Sequence, residues 1–169
     1  MKLEVARPIG QALIAVSLFL FLVPLVNVGL QVLPWRPADQ NWRFGALGFL
    51  LGAITLPTLG VGLLGVGGLL RESRGTVRLT FALASLLLVA AAVGLADFLI
   101  EGRALKAVAT EPRMLRLFQV ELRRTTLVSA VAIPALAALT IASYKVLKEM
   151  RSIAAENQES SPLIRAGQR

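Results

Sequence analysis

Four long apolar stretches, each almost free of charged residues, constrain this sequence more than any other feature. The hydrocarbon core of a bilayer is about 30 Å thick, and about 20 consecutive apolar residues are needed to cross it as a helix. The stretches that meet this length cover residues 9–33, 44–70, 79–100 and 125–147. The sequence therefore predicts an integral membrane protein with four transmembrane helices.

Backbone chemistry favours helices over strands for these stretches. A segment in hydrocarbon must satisfy its own backbone hydrogen bonds, and none of the four alternates apolar and polar residues as a barrel strand does. The predicted fold is thus all-α. We expect a short N-terminal segment over residues 1–8, a transmembrane domain over 9–147 and a polar C-terminal tail over 148–169.

The third connection is the longest and contains the pattern of an amphipathic helix. Leu115, Phe118 and Leu122 recur at helical spacing, whereas arginines occupy much of the remaining surface. Pro112 suits the first turn of such a helix. We therefore expect a short, separate amphipathic helix here, lying at the membrane surface.

Composition removes several classes of chemistry. Hydrophobic residues make up 56% of the chain and charged residues 17%, against about 25% charged in soluble domains. The chain contains no cysteine and no histidine, so it has no disulfide, no thiolate nucleophile, no Cys/His zinc site, no His-ligated haem and no Ser-His-Asp triad. We therefore expect no enzyme activity, no catalytic residue, no metal site, and no cofactor held covalently or by Cys or His.

The second stretch is the richest in glycine. Gly48 and Gly52 form a GxxxG pattern, which lets helices approach closely because no side chain intervenes. Pro57 removes one backbone hydrogen bond and predicts a kink. With Gly45 and Gly60, these residues form a candidate helix-packing set. The alternative interpretation is a broken helix that lines a substrate path, as in transporters.

Two polar pairs lie in or near the spans at a spacing that places both members on one helix face. Asn27 and Gln31 form the first pair, and we interpret them as hydrogen-bonding contacts to a neighbouring helix or a ligand. Asp97 and Glu101 form the second. An acid inside a span suggests a proton or cation relay. Because Asp97 lies near the end of its span, an interfacial ion pair is the favoured interpretation.

Aromatic and basic residues at the ends of the spans predict anchors at the membrane interface. Trp35 and Trp42 flank the first loop, as in the aromatic belt of membrane proteins. Tyr144 and Lys145 lie near the end of the fourth span and suggest a second anchor, with the lysine reaching toward water. These four residues are the candidate anchors at the membrane interface.

The net charge of +8 indicates contact with anionic lipids. Nucleic acid is not expected, because the basic residues border spans instead of forming a soluble patch. Lysine and arginine are divided almost evenly between the two sides, so they orient the chain only weakly. The basic residues before the first span favour both termini in the cytoplasm. Bound lipids are expected, and contact with a pigment or quinone stays open.

The sequences WRFGALG over residues 42–48 and LPTLG over 56–60 resemble small bacterial membrane proteins with four predicted spans. That resemblance implies no activity. The absence of catalytic groups favours an accessory subunit of a larger complex in the bacterial inner membrane, such as a photosynthetic or respiratory complex, with other membrane subunits as partners. The alternative is a small oligomeric transporter or channel that uses the second span broken at Pro57.

Overall fold

The computed structural model describes residues 2–108 and 112–166, and the side chains of residues 7–107 and 115–154. These residues form five helices with no strand among them. The helices are α1 (Lys2–Val32), α2 (Gln40–Ala53), α3 (Thr55–Leu70), α4 (Arg74–Val108) and α5 (Pro112–Ala166). The prediction of an all-helical fold is confirmed for the described part of the chain.

Within these helices, four stretches are long and apolar enough to cross a membrane. They are Arg7–Val32, Gln40–Leu70, Arg74–Ala107 and Leu115–Ala154. This confirms the predicted number of spans for the described residues and is compatible with an integral membrane protein. Many large apolar side chains on the outside of the helices are exposed, as hydrocarbon-facing residues would be.

The second span is the centre of the bundle. Of its most apolar stretch, 39% is buried, against 17% to 22% for the other three spans. Its α3 half packs mainly against α1, and its α2 half lies against α4 and α5. The glycine-rich span is therefore the one that holds the other helices together.

The second span is broken at Ile54, three residues before Pro57. Pro57 has no N–H to donate to the carbonyl of Ala53, so α2 ends there and α3 begins at Thr55. Hydrogen bonding across the break comes from Thr58. Both its amide and its hydroxyl donate to the carbonyl oxygen of Ile54, at 3.0 Å and 2.8 Å. The loss of a backbone hydrogen bond predicted from Pro57 is present as this break.

An aromatic cluster joins α2, α4 and α5. The rings of Phe44 and Phe98 stack with their centroids 4.5 Å apart, and Phe118 meets Phe44 edge-on at 5.3 Å. Phe98 is fully buried. Leu122 packs against the same cluster, so the first part of α5 belongs to the core of the bundle.

The prediction of a short, separate amphipathic helix in the third connection is wrong. The residues from Pro112 onward are helical, but they form the first part of α5 and continue without interruption into the fourth span. Their apolar face is covered by protein, because Phe118 and Leu122 pack on the aromatic cluster. No glycine or proline follows Pro112 before Pro134, so nothing in the local sequence ends the helix. The same helix continues to Ala166, and most of the predicted C-terminal tail is helical.

The turn between α3 and α4 ends α3 with a Schellman motif. The amide of Ser73 donates to the carbonyl of Gly68 at 2.9 Å, and that of Glu72 donates to Leu69 at 3.0 Å. This geometry places Glu72 in the left-handed region, with a φ of 53°, a position that usually holds glycine. Ser73 then caps α4, because its Oγ accepts the amide of Thr76 at 3.3 Å.

We expect Glu72→Gly to stabilise the protein by about 1 kcal/mol, because a left-handed conformation costs a residue with a Cβ about this much. The free energy of unfolding in detergent, measured for the variant and the wild type, tests this. Glu72→Ala is the control, since it removes the same carboxylate and keeps the Cβ. Equal stabilities of the glycine and alanine variants would contradict the role of backbone strain.

Candidate functional site

Gly60 and Gly67 lie where the backbones of α1 and α3 approach each other closely. A Cβ placed on Gly60 would be 2.8 Å from the carbonyl oxygen of Ser17, and one placed on Gly67 would be 2.9 Å from that of Gly10. Both distances are shorter than the contacts that Cβ atoms make in protein structures. The two glycines are one heptad apart, and so are their partners, so the antiparallel helices share a regular seam.

The GxxxG pattern on α2 is placed differently. A Cβ on Gly45 or Gly52 would meet no atom within 4 Å, while one on Gly48 would lie 3.4 Å from the ring of Phe98. The three glycines line a cavity of about 320 Å³. Glu121 is also part of this lining, and so is Arg124. This side of α2, formed by exposed Gly45, half-buried Gly52 and buried Gly48 between them, is called the α2 glycine face.

The seam between α1 and α3 does not extend onto α2. Pro24 lies one heptad beyond Ser17 on α1; it is buried and lines a cavity of about 330 Å³. Ile54 and Pro57 line the same cavity, so its inner end lies at the break in the second span. This cavity therefore lies beside α1 beyond its close contact with Gly60, next to the break.

A second cavity, of about 440 Å³, continues toward the C-terminal end of α1. Leu25, Val28 and Leu50 line both cavities. The two cavities together are called the α1 groove, which extends along α1 from Phe21 to Val32.

Two tryptophans lie at the outer end of the α1 groove. The ring centroids of Trp35 and Trp42 are 5.7 Å apart, and both side chains line the outer cavity. The indole N–H of Trp42 donates to the carbonyl oxygen of Val32 at 3.0 Å, which satisfies a carbonyl in the last turn of α1. The predicted interfacial tryptophans are thus neighbours in space and frame one opening.

An ion pair between α2 and α4 lies at the same end. Arg43 lines the outer cavity, and its Nε is 2.8 Å from Oε1 of Glu101. This Nε is buried and its N–H is not aligned on an acceptor, so the contact is an attraction of charges. One terminal nitrogen of Arg43 also donates to the carbonyl oxygen of Pro37, at 3.1 Å.

The two carboxylates predicted to act together have different surroundings. Glu101 is mostly buried and paired with Arg43, whereas Asp97 is exposed and lines the outer cavity. No described side chain forms an ion pair with Asp97. One carboxylate therefore holds two helices together, and the other faces the opening of the α1 groove.

The remaining candidate residues lie away from the groove. Gln31 donates to the side-chain oxygen of Asn27 at 3.3 Å, and both residues are exposed. Tyr144 is exposed on α5, with its ring centroid 6.2 Å from that of Phe81. Lys145 beside it is exposed as well. Among the candidate residues, Trp35, Trp42, Asp97 and Glu101 lie near one another at the outer end of the α1 groove. The pairs Asn27–Gln31 and Tyr144–Lys145 do not line it.

Sequence reasoning missed three residues that matter here. Gly10 and Gly67 form half of the α1–α3 seam, and the heptad spacing between Gly67 and Gly60 was a signal for it. Arg43 was not singled out as the partner of Glu101. Its position just before the second span gave no indication of which carboxylate it would meet.

No family model matches the chain, and neither a curated protein nor a solved structure is similar to it. The described residues contain no group of three or more Asp and Glu side chains placed to hold a metal ion. Function is therefore inferred from the geometry of the α1 groove and of the α2 glycine face.

We expect Gly60→Ala to destabilise the protein by about 1–3 kcal/mol, because the added Cβ would overlap the backbone of α1 and force the helices apart. Gly52→Ala is the matched control. Its Cβ meets open space, so we expect no loss and a gain of up to about 1 kcal/mol from helix propensity. Unfolding free energies measured in the same detergent test both, and equal effects of the two variants would refute the assignment of the seam.

A double-mutant cycle with Arg43→Gln and Glu101→Gln should give a coupling energy of about 1 kcal/mol. The mostly buried position of Glu101 strengthens the attraction, and the partial exposure of Arg43 weakens it. As a control, the same cycle with Arg43→Gln and Asp97→Asn should give a smaller coupling. Additive effects in the first cycle would show that the ion pair does not hold α2 to α4.

Proposed function

We propose that this chain is a structural subunit of a larger membrane protein assembly, which it serves by helix packing and not by catalysis. The observation that carries the proposal is the α2 glycine face. Gly45 is exposed and Gly52 half-buried, and a Cβ on either would meet nothing within 4 Å among the described residues, although α2 belongs to the central span. Glycines on an open face allow another helix to approach closely.

Charge at the edge of the α2 glycine face supports the same proposal. Glu121 and Arg124 line its cavity and lie on α5, beside the glycines. A partner helix that packs on the glycines would find an acidic and a basic side chain at the rim of the contact. Polar side chains at a helix interface contribute about 0.6–2 kcal/mol each, which adds specificity to the packing.

The proposed setting is the inner membrane of a bacterium, with both termini in the cytoplasm. Partners would be other membrane subunits, such as those of a photosynthetic or respiratory complex, together with anionic lipids along the basic ends of the helices. The lack of cysteine and histidine in the sequence supports a role without ligated cofactors.

Transport is the second candidate, and the break at Ile54 favours it. Broken helices occur at the substrate sites of transporters, where they line a cavity near the middle of the membrane. The break in this chain does line a cavity, but the surrounding side chains are apolar. A polar solute would lose its hydration there without gaining hydrogen bonds, so this role ranks second.

Isolation of the tagged protein from its native membrane in mild detergent tests the subunit proposal. We expect stoichiometric partner subunits with the wild type and a loss of at least about fivefold with Gly45→Ile/Gly52→Ile, because two added side chains overpack the contact. Ala92→Ile/Ala138→Ile is the control, since both alanines are exposed on other helices. A homo-oligomer without other subunits, unchanged by either variant, would contradict the proposal.

A further inference from the structure

The length of the α1 groove matches one leaflet of a bilayer. From Phe21 to Val32 it extends about 16 Å at 1.5 Å per helical residue, about half of the 30 Å hydrocarbon core. Its inner end lies at Ile54, near the middle of the second span, Gln40–Leu70. Its outer end lies at Trp35 and Trp42, residues of the type that occupies the membrane interface.

The lining of the groove suits a hydrocarbon chain. Every residue around the inner cavity is apolar, including Leu25, Val28 and Leu50, where the two cavities meet. Polar groups of a ligand placed there would be left without hydrogen bonds, at a cost in affinity. An acyl chain has no such groups, and it would contact apolar side chains along its whole length.

The outer end presents both signs of charge to a headgroup. Arg43 keeps terminal N–H groups beyond the one that donates to Pro37, and these can donate to a phosphate. The charge of Glu101 is already paired with Arg43, whereas Asp97 faces the same cavity with no ion-pair partner among the described residues. The site thus offers donors for an anionic group and an acceptor for a cationic one.

We propose that the α1 groove binds one phosphatidylethanolamine molecule, with an acyl chain along α1, the phosphate at Arg43 and the ammonium group at Asp97. Three N–H donors on the ammonium allow a charged hydrogen bond to the carboxylate of Asp97. A choline headgroup has no such donor, and a glycerol headgroup has no cation. This site differs from the α2 glycine face and does not depend on the proposed subunit role.

Native mass spectrometry of the full chain tests the proposal after reconstitution. The vesicles contain equal amounts of phosphatidylethanolamine, phosphatidylcholine and phosphatidylglycerol with identical acyl chains. We expect the wild type to retain one phosphatidylethanolamine through mild activation. Asp97→Asn should reduce its preference over phosphatidylglycerol about tenfold, which corresponds to about 1.4 kcal/mol.

Filling the groove provides the second variant. Leu25 is 39% exposed, so Leu25→Trp adds an indole to the groove without entering the core, and we expect the bound lipid to be lost. Val131→Trp is the control, because Val131 is 71% exposed on α5 and outside the groove. Equal retention by Leu25→Trp and the control would overturn the site. A wild type that shows no preference among the three lipids, an unchanged preference in Asp97→Asn, or a retained quinone or pigment would overturn the headgroup assignment.

Discussion

The close approach of α1 and α3 is the contact that attaches the first span to the central span of the bundle. Gly60 and Gly67 remove the side chains that would keep the two backbones apart, and their partners on α1 repeat at the same heptad spacing. In a bilayer there is little hydrophobic gain from packing one apolar helix on another, so association relies on close van der Waals contact. Glycines at both levels of the seam supply that contact.

Empty space remains beside α1 beyond this contact. There α1 passes the break at Ile54 and packs less on α2 than it does on α3. Pro24 continues the heptad series on α1; it is buried and lines the inner cavity together with Ile54 and Pro57. The break and the inner end of the α1 groove therefore lie at the same level of the central span.

The outer end of the bundle contains contacts that stabilise the packing of α2 on α4, and beside them a cavity that can bind a ligand. Arg43 and Glu101 link α2 to α4, and the Phe44 ring stacks on Phe98 nearby. The outer cavity lies beside these contacts, and Asp97 lines it. Among the described residues Asp97 has no ion-pair partner, and a carboxylate next to an apolar groove suits an amphiphilic ligand.

Sequence reasoning predicted the helices better than the contacts between them. Pro57 was expected to interrupt its helix and does, yet Pro8 and Pro24 lie inside α1 without ending it. Likewise, the predicted packing set included Gly60 with Gly48 and Gly52 of GxxxG, while the close backbone contact with α1 is made by Gly60 and by Gly67, which was not in that set. A local pattern indicates that a helix can bend or be approached closely. It does not indicate whether a neighbouring helix packs at that position.

The sequence by itself determined the helical class, the four spans and the lack of cysteine and histidine chemistry. Each follows from the hydropathy or identity of residues along a local stretch, because a backbone in hydrocarbon has to satisfy its own hydrogen bonds. Only the tertiary structure decided that Glu101 pairs with Arg43, that Asp97 faces a groove, and that the amphipathic segment of α5 is covered by protein. Those outcomes depend on how helices far apart in the sequence are placed side by side, which no local pattern encodes.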